Sequence, residues 1–308
     1  MAGFGSQEER ALKLVEEGEK VLNKKGLFAS VFGSNTQKME DAAELFGKAA
    51  NCYKVSRKWD DAGKLYMRTA GLHEKLGSAH EAASSYVEAG KCFKHNSPSD
   101  AVQSMTSAVT HYIEMGRFNQ AARMLKDIGD MYDADGNYED AKQCLQQAAD
   151  YFAGENSTQS ANACQVKVAT IMSKNMDPPD FLGAAQIFED LGRSCMETRL
   201  LQMNAKGYWL QAGLCYMASN DAVAARQKLA EFESVDYSFA SSRECKFLSD
   251  LVTAMESCDT DEFAKAAFEY DKVSALDPWK TSVLLAIKRL ISVEGGGVDG
   301  GDGEPDLT

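Results

Sequence analysis

The stretch Asp41-Ala42-Ala43-Glu44-Leu45-Phe46-Gly47-Lys48-Ala49-Ala50-Asn51-Cys52-Tyr53 decides the fold, because its pattern recurs along the chain. Counting outward from Ala42, alanines stand at 62, 82, 101, 121, 141 and 161, at intervals of 20, 20, 19, 20, 20 and 20 residues. Four residues after each come Phe46, Tyr66, Tyr86, Met105, Leu125, Leu145 and Gln165. Eight after come Ala50, Ala70, Gly90, Val109, Gly129, Ala149 and Ala169, and eleven after come Tyr53, His73, Phe93, Tyr112, Tyr132, Phe152 and Met172. Offsets 0, 4, 8 and 11 share one face of an α-helix. Small side chains alternating with large ones on that face let neighbouring helices interdigitate at close range. One period is therefore one helix and its turn.

The turns fall where this count requires. Arg57-Lys58-Trp59-Asp60, Gly77-Ser78-Ala79, Asn96-Ser97-Pro98-Ser99, Gly116-Arg117-Phe118 and Asp135-Gly136-Asn137 all lie between the periodic blocks, and Gly, Asn and Pro are the residues that tight turns select. Two such helices make a pair of about 40 residues, near the armadillo and HEAT range and longer than a tetratricopeptide unit. Stacked antiparallel pairs form a solenoid with an extended curved face for a partner.

The rest of the composition agrees. The five prolines of the 308 residues, at 98, 178, 179, 278 and 305, leave proline-free runs of 97, 79 and 98 residues, which fits helices and disfavours an all-β chain. A net charge of −13 disfavours nucleic acid as the main ligand, since phosphate neutralisation needs a basic face. No apolar run reaches the length of a membrane-spanning helix, and Met1-Ala2-Gly3-Phe4 begins neither a signal peptide nor a myristoylation site. The expected location is cytoplasmic. The eight cysteines never form a CxxC pair, and read as reduced, mostly buried small residues.

Outside the array, Ser6 to about Lys24 reads as a helix opened by a Ser6-x-x-Glu9 capping box. The segment Gly26-Leu27-Phe28-Ala29-Ser30-Val31-Phe32-Gly33-Ser34 interrupts helicity while carrying four large apolar side chains. The organisation expected is an array over 1–200, a C-terminal helical bundle over 201–293 and a Gly-rich acidic tail over 294–308. The strict register fades after about Arg199, yet Tyr208–Phe232, Ser241–Ser257 and Asp261–Val273 still read as helical. A last helix has Asp277 as N-cap, Pro278 at its first position, and Trp279, Val283, Ile287 and Leu290 on one face.

Catalytic motifs are missing. There is no GxxxxGK[ST], and Gly295-Gly296-Gly297-Val298-Asp299-Gly300 satisfies GxGxxG without the strand-to-helix turn that the dinucleotide motif needs. His73, His80, His95 and His111 have no zinc-type spacing. No cofactor, no metal and no enzymatic activity are expected. Two other readings remain: a general tetratricopeptide-like scaffold for peptides, and a cysteine hydrolase on a helical fold, which one unusually reactive thiol would reveal.

Taken together, certain residues resemble the soluble NSF attachment proteins of the alpha type, adaptors that hold assembled SNARE bundles for disassembly by the NSF ATPase. The resemblance runs through the Gly26–Ser34 loop, Tyr112-x-x-Met115-Gly116-Arg117-Phe118-x-x-Ala121-Ala122, Gly154-Glu155 with Ser160-Ala161-Asn162, and Ser242-Arg243-Glu244-Cys245-Lys246. It continues in Leu276-Asp277-x-Trp279 followed by Leu284-Leu285, and in the terminal Asp306-Leu307.

The resemblance implies an all-α fold, a tetratricopeptide-like right-handed array of antiparallel helix pairs followed by a C-terminal helical bundle. It implies that Lys94, Arg117, Arg123 and Lys167 meet the acidic SNARE four-helix bundle, with several copies around each bundle. Ala163 stands where relatives commonly carry lysine. It implies that Leu27, Phe28, Val31 and Phe32 touch a membrane peripherally, although four apolar side chains between helices could equally staple them together. It further implies that Glu256, Asp306 and Leu307 bind or stimulate NSF. Thr253 and Ser257 fall where relatives often have acids, and Asp250, Asp259 and Asp261 stand nearby as substitutes. Five of the net negative charges lie in residues 294–308, leaving −8 elsewhere. The resulting expectation is an acidic end for a basic ATPase domain, and a small basic face for an acidic bundle.

Overall fold

The computed structural model describes residues 2–23 and 34–294. Among them the chain forms fifteen helices and no strand, and it divides into two compact units, Met1–Cys164 and Gln165–Thr308.

The first unit holds α1 (Ala2–Asn23), α2 (Ser34–Val55), α3 (Trp59–Lys75), α4 (Ala79–Phe93), α5 (Pro98–Glu114), α6 (Phe118–Ala134), α7 (Tyr138–Gly154) and the start of α8 (Thr158–Lys174). Each of α1 to α6 packs on its successor, and three- or four-residue turns between α2 and α7 make consecutive helices antiparallel. The turns share one backbone device. Arg57, Gly77, Gly116, Gly136 and Asn156 take φ of 59, 72, 67, 79 and 56°, a left-handed conformation that glycine and asparagine adopt most readily. The following residues, Lys58, Ser78, Arg117, Asn137 and Ser157, send their N–H back to the carbonyls of Tyr53, His73, Tyr112, Tyr132 and Phe152 at 2.7–2.9 Å. This closure satisfies carbonyls that a helix end leaves bare, and the residue at offset 11 supplies the acceptor. The turn after α4 differs: Asn96 and Ser97 both donate to the Phe93 carbonyl, at 3.0 and 2.7 Å, and Pro98 opens α5. It lies within the one 19-residue interval.

The alanines at offset 0, from Ala42 to Ala141, are completely buried, and offsets 4 and 8 are buried with them. Interdigitation is direct: a Cβ on Gly90 would sit 2.6 Å from Met105 Cγ, and one on Gly129 2.8 Å from Leu145 Cγ. Offset 8 of one helix thus receives offset 4 of the next. Offset 7 is buried too, at Ala49, Thr69, Ala89, Ala108, Ile128 and Ala148, because an inner helix of a stack has neighbours on two sides. Offset 11 is mostly half-buried; only Phe93 and Phe152 are enclosed in this unit. One expectation is corrected at the start of the chain. Helix α1 already runs from Ala2, so Ser6 lies within the helix and not at its start.

The second unit continues with α9 (Phe181–Glu197), α10 (Gln202–Ala218), α11 (Ala222–Val235), α12 (Tyr237–Ala240), α13 (Arg243–Glu256), α14 (Thr260–Asp271) and α15 (Pro278–Glu294). Its centre is α10, which touches α9, α11, α12, α13 and α15. Trp209 of α10 is fully buried, stacks on Phe232 at 4.7 Å and donates Nε1–H to Asp236 at 3.3 Å. Trp279 meets Phe188 edge-on at 5.4 Å and donates to Ser173 Oγ at 2.9 Å. The helix expected over Tyr208–Phe232 is two helices. Asn220 turns left-handed with φ of 65°, and Asp221 accepts from the Ala224 N–H at 2.8 Å to cap α11. The last helix starts as expected, with Asp277 accepting from Lys280 N–H at 2.8 Å. Its buried stripe ends on Ile291 rather than Leu290, the fourth residue after Ile287 facing the core.

Candidate functional site

The expected SNARE-facing cations arise from the turn device. Gly116 bends the chain, the Arg117 amide is committed to Tyr112, and the Arg117 side chain is left exposed just ahead of α6. Arg123 is exposed on α6, and Lys94 is exposed at the C-terminal end of α4. None of these three side chains has an acidic partner among the described residues. Three other lysines of the unit are paired, Lys54 with Glu88 at 2.5 Å, Lys91 with Glu88 at 2.8 Å and Lys126 with Asp130 at 3.0 Å, whereas Lys13, Lys64 and Lys75 are exposed without an acidic partner among the described residues. The Glu88 hydrogen bond raises the Lys54 pKa, as the Asp130 hydrogen bond raises that of Lys126.

Alternate helices of an antiparallel stack run parallel and share a layer, so α4 and α6 belong to one layer. Lys94 at the end of α4 and Arg117 at the start of α6 therefore stand at opposite ends of it, about a helix length of 25 Å apart for 17 residues. Arg123 lies between those ends. Lys167 is half-buried on α8 in the second unit, and Ala163 is exposed earlier on the same helix.

The expected NSF contact is different in kind. Glu256 is half-exposed on α13 and is gripped by Arg226 of α11, Nε to Oε1 at 3.0 Å and Nη2 to Oε2 at 2.6 Å. Thr253 Oγ1 accepts from the same guanidinium at 3.0 Å. The Arg226 bond holds the Glu256 carboxyl below its usual pKa, so it is charged but partnered. Of the nearby acids, Asp250 pairs with Lys246 at 2.5 Å, and Asp259 is the N-cap of α14. Asp261 is exposed and has no side-chain partner among the described residues. Sequence reasoning missed Arg226, 30 residues from its partner, because no local pattern links them. Leu27, Phe28, Val31, Phe32, Asp306 and Leu307 lie outside the described residues.

Nothing in the described residues forms a nucleophile or metal cluster. No group of three or more potential metal-binding side chains comes together among them. Six cysteines are buried, Cys144 is half-buried and Cys258 is exposed. Burial pushes the thiols of Cys92 and Cys245 up to about 11 and about 12, with a Glu233 hydrogen bond adding to the second. Such thiols are far from the thiolate a nucleophile needs. His111 is tied to Glu74 at 2.9 Å, and His95 stacks on Trp59 at 4.0 Å.

Residues 9–292 match the model of the soluble NSF attachment protein family, SNAP. The chain belongs to the soluble NSF attachment protein family. The alpha-soluble NSF attachment protein of Vitis vinifera is 37% identical to it over 91% of this chain and 94% of that one. The Mus musculus alpha-soluble NSF attachment protein is 36% identical, over 94% and 97% of the two chains. A vesicular-fusion protein, SEC17 of Komagataella phaffii, is 33% identical over 91% and 95%. SNAP family members are adaptors and not catalysts, which accounts for exposed charge with no catalytic constellation. No helix among the described residues is long and apolar enough to cross a membrane.

Proposed function

We propose that this SNAP family chain is an adaptor that binds assembled SNARE four-helix bundles and recruits and stimulates NSF for their disassembly in vesicle fusion and trafficking. The observation that carries the reading is the set of unpartnered cations Lys94, Arg117 and Arg123, spread along one helical layer of a chain whose net charge is −13. An acidic protein holds an acidic coiled coil only through a local basic face, and such binding weakens with salt. Lys167, on α8 in the second unit, is a further SNARE contact in the proposal. Residues 1–200 serve as the SNARE-gripping array and 201–293 as the bundle that meets NSF. Several copies surround one SNARE bundle, so that individually weak contacts sum to tight binding.

Leu27, Phe28, Val31 and Phe32 supply a shallow, peripheral membrane contact from the cytoplasmic side. Asp306 and Leu307, at the end of the acidic tail, stimulate the ATPase. Because Glu256 is already charge-paired, its contribution to NSF is as an Arg226-held acceptor, with Asp261 offering the free carboxylate. The test is reconstituted disassembly of SNARE complexes by NSF with and without this protein. Disassembly that depends on its addition supports the reading; NSF that works equally well without it contradicts the reading.

A further inference from the structure

In the second unit the first turns of α10, α13 and α15 contribute to one open cleft of about 460 Å³. Lys206, Arg243 and Lys280 line it with Glu244, and with Asp277 paired to Lys280 three cations stand against two carboxylates, a positive surplus in a strongly acidic chain. Lys206 has no acidic partner among the described residues. Arg243 gives only its Nε to Glu244, at 3.2 Å, leaving the outer guanidinium nitrogens available for a bidentate acceptor. Lys280 is fixed in place by Asp277. Arg243 and Lys280 also occupy the first turns of their helices, where the helix dipole favours acids and disfavours cations. An anion seated in the cleft meets the positive charge that Glu244 and Asp277 leave uncompensated. Room for it exists, since a Cβ on Gly207 would meet nothing within 4 Å.

Met203, which lines the cleft, is 71% exposed, and Leu200, three residues earlier in the chain, is 90% exposed. Exposed apolar side chains flanking a cationic cleft suit a membrane surface, where charge attraction and apolar burial act together. We propose that this cleft binds the phosphate groups of a phosphoinositide headgroup, with Leu200 and Met203 resting on the bilayer. The site lies in the bundle proposed above to meet NSF but shares no residue with Glu256, Asp261 or the SNARE-facing cations, and its failure would leave those contacts standing.

The test uses the full chain in vesicle flotation and in calorimetry with free inositol trisphosphate. Vesicles of phosphatidylcholine doped with phosphatidylinositol bisphosphate should capture the protein better than undoped ones, which report any contribution of the apolar loop at 27–32. Lys206→Ala with Arg243→Ala should weaken capture by doped vesicles roughly 30-fold, the effect of about 1 kcal/mol per surface cation. Gly207→Leu keeps every charge and improves helix propensity, and it should weaken both binding modes by filling the cleft. Leu200→Ser with Met203→Ser should lower vesicle capture while sparing inositol trisphosphate. Unchanged capture by the charge and glycine variants would overturn the site. Inositol trisphosphate binding without vesicle capture would overturn the membrane assignment.

Discussion

In the first unit, the residues that precede α3 to α7, namely Lys58, Ser78, Ser97, Arg117 and Asn137, accept no capping hydrogen bond from the backbone of the helices they introduce. In the second, Asp180, Asp221, Asp236, Ser242, Asp259 and Asp277 each accept from a backbone N–H of the next helix. The array ends its helices with left-handed backbone and reuses each turn, so one residue closes one helix and starts the next. Its side chain is then free for other work, and Arg117 stands at such a position. The bundle has irregular connections and caps the starts of α9 and α11 to α15 with a side chain, α10 behind Leu201 being the exception. The cores differ likewise: alanine and glycine contacts repeated along the array, against aromatic rings gathered around Trp209.

This contrast can be broken by substitution. The largest effect belongs to the concentrated core. Trp209→Ala removes a fully buried ring, its stack on Phe232 and its bond to Asp236, and should cost about 3–5 kcal/mol in denaturant unfolding. A small change there would mean that the bundle core is as distributed as the array.

Next comes the buried carboxylate Glu189, which accepts from Arg193 at 2.8 Å, Lys228 at 3.0 Å and Tyr216 at 2.8 Å. Glu189→Ala should cost about 2–3 kcal/mol, less than a fully buried pair because Arg193 and Lys228 reach solvent. Burial pushes the Glu189 pKa up, but the hydrogen bonds from Arg193, Lys228 and Tyr216 outweigh it and leave it lowered. A lowered folded-state pKa adds stability that is complete above the ordinary carboxylate pKa and is lost as pH falls through the folded value. Stability measured against pH should therefore fall more steeply on the acid side in the parent than in Glu189→Gln.

Gly129→Val tests the array packing. It drives a branched side chain into Leu145 and should cost about 1–3 kcal/mol. The smallest and most discriminating pair compares the caps: Asp277→Ala should lose about 1 kcal/mol, whereas Ser78→Ala should change stability by less than about 0.5 kcal/mol. Equal losses would remove the distinction between the two ways of ending a helix.

The array was legible in the sequence because each period repeats the same physical solution, with Ala42, Ala62, Ala82 and their successors marking every helix. The burial of Ile128 and Ala148 at offset 7 was not, since a single-face periodicity describes an outer helix and not one enclosed on both sides. The break at Ser219-Asn220-Asp221 carried a readable signal, a turn residue followed by a capping aspartate, which continuous helical periodicity outweighed. The capping role expected of Ser6 failed because a local motif cannot show whether the chain upstream is already helical. Lys94, Arg117 and Arg123 could be named through the family resemblance, yet their freedom from acidic partners needed the structure. The pairing of Glu256 with Arg226, and the convergence of Lys206, Arg243 and Lys280, depend on tertiary placement that no spacing encodes.

The central claim is that the array grips an acidic bundle through its exposed cations. The direct measurement is the affinity for a soluble SNARE four-helix bundle as a function of salt, for the parent and for a variant with Lys94, Arg117, Arg123 and Lys167 all changed to Ala. The account predicts at least about tenfold weaker binding at low salt and a flatter salt dependence in the variant, with thermal unfolding unchanged. The same affinity and the same salt slope in both proteins would contradict it.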